Sequence, residues 1–167
     1  MIRKREKPEE AVGRLLKKSG CALSVAESCT GGLLSHKITS IPGSSDYFMG
    51  GIVAYSNDLK KKILKVPGGT LRKFGAVSKE TAIAMARGAQ ENIGSDIAAA
   101  ITGIAGPNGG SKAKPVGTVF IAIADKKSAG CRRFLFRGKR DAIKLAASNN
   151  ALKMLIEFLI ARHNGTR

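Results

Sequence analysis

Three observations predict an α/β fold, a single layered α/β/α domain built on a mixed central sheet. Helical apolar periodicity is interspersed with short continuous apolar runs along the chain. Two of those runs end in glycine-rich turns, Ala26-Glu27-Ser28-Cys29-Thr30-Gly31-Gly32 and Thr102-Gly103-Ile104-Ala105-Gly106-Pro107-Asn108-Gly109-Gly110. Two late strand patterns, Gly117 to Ala124 and Cys131 to Phe136, are joined by a polar turn and read as an antiparallel pair, so the sheet is not purely parallel.

The elements follow in order. Pro8-Glu9-Glu10 opens a helix through about Lys18, with Ala11, Val12, Leu15 and Leu16 at helical spacing and Gly20 as its stop. Cys21 to Ala26 is a buried strand. Thr30 is placed to cap the next helix, whose Leu33, Leu34, Ile38 and Ile41 share a face and which ends at Pro42-Gly43. Gly51 to Tyr55 is a short strand, and Ser56 or Asn57 caps a helix from about Asp58 to Leu64. Pro67-Gly68-Gly69 turns the chain, and Ser78 starts a helix through Asn92. Asp96 to Ile101 reads as a central strand, and Lys139 to Arg162 closes the fold as a long amphipathic helix.

At 167 residues the chain suits one domain with a proper core. Its three cysteines, Cys21, Cys29 and Cys131, form no CxxC pair, which points to a reducing, cytoplasmic setting rather than a disulfide scaffold. The basic start, Arg3 to Lys7, leads into Pro8-Glu9-Glu10 rather than an apolar targeting segment, and no stretch suits a bilayer. A formal charge of +17 favours anionic partners. No recognition motif accompanies that charge and aromatics are scarce, so nucleic-acid binding is the less favoured reading.

Glycine lets backbone N–H groups converge on one point after a strand, which suits a phosphate or an oxyanion; a mononucleotide site is the expectation. With only His36 and His163, a Ser-His-Asp triad is hard to build, and metal-ligand spacing is absent. A hydrolytic site would then use lysine, tyrosine or carboxylate as base. On a helical wheel Lys60 falls between Ile63 and Leu64, inside an arc shared with Leu59 and Val66, so it should point inward while Lys61 and Lys62 face water. Desolvation lowers an ammonium's pKa towards a base-competent amine. Tyr55, five residues earlier, can reach the same cleft. Ser28, Ser44, Ser45 and Cys29 are candidate nucleophiles that spacing alone does not rank. Arg140, with Arg137 and Lys139 as competitors, stands where a guanidinium and a helix start could grip a phosphate.

Taken together, AESCTGG (26–32), PGSS (42–45), Tyr55-Ser56-Asn57 with Lys60, GAVS (75–78), TGIAGPNGG (102–110) and KPVGTVFIAI (114–123) resemble the CinA C-terminal domain family, the nicotinamide-nucleotide amidohydrolases. The likeness spans about Glu9 to Leu159, the core of a domain assigned to 1–167. It implies hydrolysis of nicotinamide mononucleotide to nicotinate mononucleotide and ammonia, with no metal and no cofactor. Carried onto this chain, it makes Ser45 the nucleophile, Lys60 its base and Tyr55 the relaying or orienting partner, with Ser28 the alternative nucleophile. Ser28 and Thr102 would line the nucleotide pocket, N–H groups around Gly31, Gly32 and Gly103 would meet an anion, and Arg140 would hold the 5′-phosphate. Lys139 stands where an acidic residue commonly precedes that arginine. The other expectations are a same-fold hydrolase of another small amide or phosphorylated metabolite, and a non-catalytic basic protein that binds nucleic acid. Self-association into a homo-oligomer through a sheet edge is also expected.

Overall fold

The computed structural model describes residues 6–164, so the basic cluster Arg3-Lys4-Arg5 lies outside the described residues. Five strands form one sheet: β1 (Leu23–Glu27), β2 (Phe48–Val53), β3 (Ile97–Gly103), β4 (Thr118–Asp125) and β5 (Ala129–Leu135). Their spatial order is β2-β1-β3-β4-β5. β1 pairs in parallel with both β2 and β3, whereas β3–β4 and β4–β5 are antiparallel, which makes the sheet mixed as expected. The helices are α1 (Pro8–Ser19), α2 (Leu33–Thr39), α3 (Asn57–Lys62), α4 (Gly68–Phe74), α5 (Lys79–Ile93) and α6 (Arg140–Asn164).

Alternation along the strands divides the core into two unlike halves. Ile97, Ala99 and Ile101 of β3, with Val119, Ile121 and Ile123 of β4, pack beneath α1, α2 and α6. Ala98, Ala100, Ala122 and Ala124 point to the other face, where α5 contributes Ala82, Met85, Ala86 and Ala89. One face is branched and bulky; the other is nearly all alanine. Small side chains on both surfaces bring α5 close to the sheet.

That closeness extends to the segment after α3. A Cβ added to Gly88 of α5 would run into the carbonyl group of Leu64. Gly88→Ala is therefore expected to destabilise the protein by about 1–3 kcal/mol, from overpacking against backbone, although alanine is the better helix former by ~1 kcal/mol. Denaturant or thermal unfolding measures this directly; an increase in stability would mean the contact is not tight.

Two helix boundaries differ from the sequence expectation. Pro67-Gly68-Gly69 starts α4 rather than merely turning the chain, with Pro67 as the residue just ahead of the first helical turn. Thr30 does not cap α2: Gly32 occupies the cap position, and the Thr30 hydroxyl is buried without a hydrogen-bond partner. The capping acceptor is instead the Glu27 carboxylate, as described below. Ser56 and Ser78 do cap α3 and α5, accepting from the N–H groups of Leu59 and Thr81. His163 sits in the last turn of α6. No helix among the described residues is long and apolar enough to cross a membrane.

Candidate active site

The strand order reverses direction around β1, because the chain leaves β1 for β2 on one side and later returns to β3 on the other. In open α/β sheets, the crevice beyond the strands' carboxyl ends at such a point is the usual ligand site. A cleft of about 280 Å³ opens there, lined among others by Ser28, Cys29, Tyr55, Asn57, Lys60, Thr102, Gly103, Asn108 and Arg140. Among the described residues, its basic lining side chains are Lys60 and Arg140, and no acidic side chain lines it.

Ser28 follows the last residue of β1 and is 8% exposed. Its N–H donates to the Ile101 carbonyl of β3, which fixes the start of the turn. Gly31 and Gly32 then adopt φ of 61° and 97°, left-handed values that favour glycine, and α2 begins. Glu27, fully buried at the end of β1, holds this turn in place. Its Oε2 accepts from the N–H groups of Gly32 and Leu34, and its Oε1 from the N–H and hydroxyl of Ser35. A carboxylate from the preceding strand thus satisfies the free donors at the start of α2. The expected anion donors are corrected accordingly: the Gly32 N–H is taken by Glu27, and the Gly31 N–H donates to the Ser28 carbonyl. An acidic residue at the end of a buried strand is visible in the sequence, but the four donors that it meets are not.

Lys60 is 1% exposed, among the largest fully buried side chains. Its Nζ donates to Ser28 Oγ at 3.0 Å, to the Ala54 carbonyl at 2.8 Å and to the Tyr55 carbonyl at 3.2 Å. Burial pushes its pKa below the ordinary lysine range. The geometry states what loss of a proton would do. A neutral amine keeps two N–H bonds, which the two carbonyls accept, and its lone pair then faces the Ser28 hydroxyl. The same three contacts that hold an ammonium therefore aim a base. The wheel placed Lys60 inward correctly, but Leu59 and Ile63, expected beside it, are 41% and 44% exposed.

The structure does not bring Ser45 to this lysine. Ser45 lies in the exposed 3-10 turn Ser44–Asp46, ahead of β2, whereas Ser28 follows β1. In parallel neighbours, those positions are at opposite ends of the sheet. Tyr55 meets Lys60 through its backbone rather than through its side chain. Its hydroxyl accepts from Arg140 Nη2 at 2.7 Å.

Arg140 opens α6 and donates through Nη1 to the Gly106 carbonyl at 2.6 Å. It makes no ion pair among the described residues, so its charge stays available at the cleft mouth. Thr102 lines the cleft, but its hydroxyl donates to the Ala76 carbonyl at 2.8 Å. Gly103 also lines it, and a Cβ there would meet Val119 and the Thr118 carbonyl. Burial pushes the Cys29 thiol up to about 12, which removes it as a thiolate nucleophile near neutrality. Asn57 and Asn108 also line the cleft; both lie in motifs noted in the sequence, but neither is assigned a role in binding there. Among the described residues, no group of three or more His, Cys, Asp or Glu side chains is arranged to hold a metal ion.

A mixed α/β sheet with a lysine and serine paired in its switch-point cleft defines a recognisable class of domain. Residues 5–159 match the model of the CinA C-terminal domain, and the chain belongs to that family. It is 50% identical over 154 residues to a putative competence-damage inducible protein of Desulforudis audaxviator, covering 92% of this chain and 37% of that protein. It is 53% identical over 154 residues to a CinA-like protein of Geotalea daltonii, with coverage of 92% and 37%. The chain thus spans little more than a third of the length of these relatives. Among solved structures it is similar to the competence/damage inducible protein CihA of Agrobacterium tumefaciens, with a TM-score of 0.86, 41% identity and coverage of 94% and 98%. A CinA superfamily protein of Klebsiella pneumoniae gives a TM-score of 0.88, 33% identity and coverage of 93% and 99%.

Proposed function

We propose that this chain hydrolyses the carboxamide of nicotinamide mononucleotide to nicotinate mononucleotide and ammonia, with Ser28 as nucleophile and Lys60 as base. The observation that carries the reading is the buried 3.0 Å contact between Lys60 Nζ and Ser28 Oγ. Lys60 accepts the Ser28 proton as Oγ attacks the amide carbon. The resulting ammonium returns a proton to the departing nitrogen, and the carbon–nitrogen bond breaks. Water, deprotonated by the same amine, then cleaves the acyl ester and frees the carboxylate. The N–H groups of Cys29 and Thr30 directly follow the nucleophile and donate to no backbone carbonyl among the described residues, which suits them to the oxyanion. Arg140 at the cleft mouth takes the 5′-phosphate.

Ammonia and nicotinate mononucleotide released by purified protein in the presence of chelator is the direct test. A panel of other amides and phosphorylated metabolites, run in parallel, fixes the substrate class; turnover of a panel member without turnover of the mononucleotide would overturn the assignment. The pH profile provides a further check. The reactive form of Lys60 is the neutral amine, and desolvation favours that form. The rate constant kcat/KM should therefore rise with pH along a limb positioned below the ordinary lysine range and level off above it. A limb at the ordinary lysine value would remove the desolvated base.

A further inference from the structure

We infer that the proton on Lys60 decides which ligand the cleft floor accepts: the protonated site is a receptor for a carboxylate, the acid product above all, and the neutral site takes the amide. This deepens the hydrolase reading and rests on it for the identity of the acid. An ammonium has three N–H bonds and no lone pair. All three are used at Lys60, on Ser28 Oγ, the Ala54 carbonyl and the Tyr55 carbonyl. Ser28 is then an acceptor towards the lysine. Its own O–H has no other partner among the described residues and is left for the cleft that Ser28 lines. The N–H groups of Cys29 and Thr30, which donate to no backbone carbonyl among the described residues, add to this set of donors. A carboxylate only accepts and matches such a set, whereas a carboxamide sets two N–H bonds of its own against it. Among the described residues no acidic side chain lines the cleft to repel an anion.

Loss of the proton reverses the contact between the two residues. The amine keeps its two carbonyl acceptors, the Ser28 hydroxyl donates to its lone pair, and Oγ turns its own lone pairs to the cleft. That form attacks an amide and repels a carboxylate. Turnover delivers the acid to the other form. Hydrolysis of the acyl ester consumes one water and yields the free Ser28 hydroxyl and a carboxylic acid, whose proton passes to the amine, the far stronger base. The product is thus a carboxylate beside an ammonium, and it leaves most readily once the lysine gives that proton to solvent. Burial lowers the pKa of Lys60, which brings this exchange below the ordinary lysine range. The other ionisable groups around it are differently engaged. Burial holds the Cys29 thiol up at about 12, so it stays neutral. The Glu27 carboxylate is turned to the start of α2, and the Tyr55 hydroxyl to Arg140, a guanidinium that keeps its charge throughout. On α3, Asp58 pairs with Lys61, and Lys62 is exposed.

The test is calorimetric titration of the wild type with nicotinate mononucleotide between about pH 7.5 and 10, where a phosphate with a second pKa of ~6 no longer titrates. Affinity should hold below the Lys60 pKa and fall about tenfold per pH unit above it. Buffers of different ionisation enthalpy should then show about one proton taken up per ligand bound. Lys60→Met should bind the acid with neither the slope nor the uptake. The wild type alone gives a second reading: the Ki of the acid against hydrolysis of nicotinamide mononucleotide should turn upward at the pH where kcat/KM levels off. Binding indifferent to pH, a slope that survives in Lys60→Met, or an acid that does not bind at all overturns the inference. Hydrolysis with pH-independent binding strikes this inference alone. Proton-linked binding without hydrolysis strikes the hydrolase reading and keeps the carboxylate site.

Discussion

Replacing Ser28 with alanine or Lys60 with methionine is expected to lower kcat/KM for nicotinamide mononucleotide by about a thousandfold or more. A positioned general base contributes roughly 10²–10⁴ in rate, and loss of the nucleophile removes the acyl-enzyme route altogether. Because each residue is useless without the other, the double variant should be no slower than either single one. Methionine keeps most of the lysine's volume while leaving the Ala54 and Tyr55 carbonyls without their donor. The cost, ~1–3 kcal/mol for the buried acceptor, is offset by no longer burying an ammonium. Thermal unfolding then separates a catalytic loss from a folding one. Ser45→Ala, at the far end of the sheet, should stay within about tenfold of wild type. Wild-type turnover in Ser28→Ala would return the nucleophile to another residue.

The second large effect is expected at Arg140. Substitution by alanine should raise KM by about ten- to a hundredfold, the worth of a charge-assisted contact of ~1.5–3 kcal/mol, while changing kcat far less. The guanidinium bridges the Gly106 carbonyl and the Tyr55 hydroxyl, so it is held in place before any ligand arrives. Arg140→Lys should recover only part of the loss, because a single ammonium cannot span both partners and a phosphate. Steady-state kinetics over a substrate series gives the split. A fall in kcat with unchanged KM would mean that this residue serves the reacting amide instead.

Most of the fold was legible because its signals are local. The apolar spacing of α1, α5 and α6 and the run through β3 set their own boundaries within a few residues. α4 was not legible: Pro67-Gly68-Gly69 is turn chemistry that also suits a helix start, and only the surrounding chain decides between them. The exposure of Leu59 and Ile63 was misread because α3 ends at Lys62, so one helical wheel cannot describe the segment that continues to Leu64 and Val66. Choosing between Ser28 and Ser45 required strand direction. One serine follows a strand and the other precedes its parallel neighbour, a distinction that the motifs contain but that residue type cannot express. The Glu27 cap is harder still. It depends on where four donors of the next helix come to rest.

Glu27 has a bearing on how a ligand enters. By occupying the start of α2, its carboxylate takes the N–H groups that the first glycine loop would otherwise offer to a phosphate. Under the proposed function, anion capture would fall to the Arg140 guanidinium across the opening. In the proposed reaction such a cleft would be polarised lengthwise, with chemistry at the floor and recognition at the rim, and would admit a bifunctional molecule one way round. A nucleoside lacking its phosphate would have the right head and nothing to hold it by.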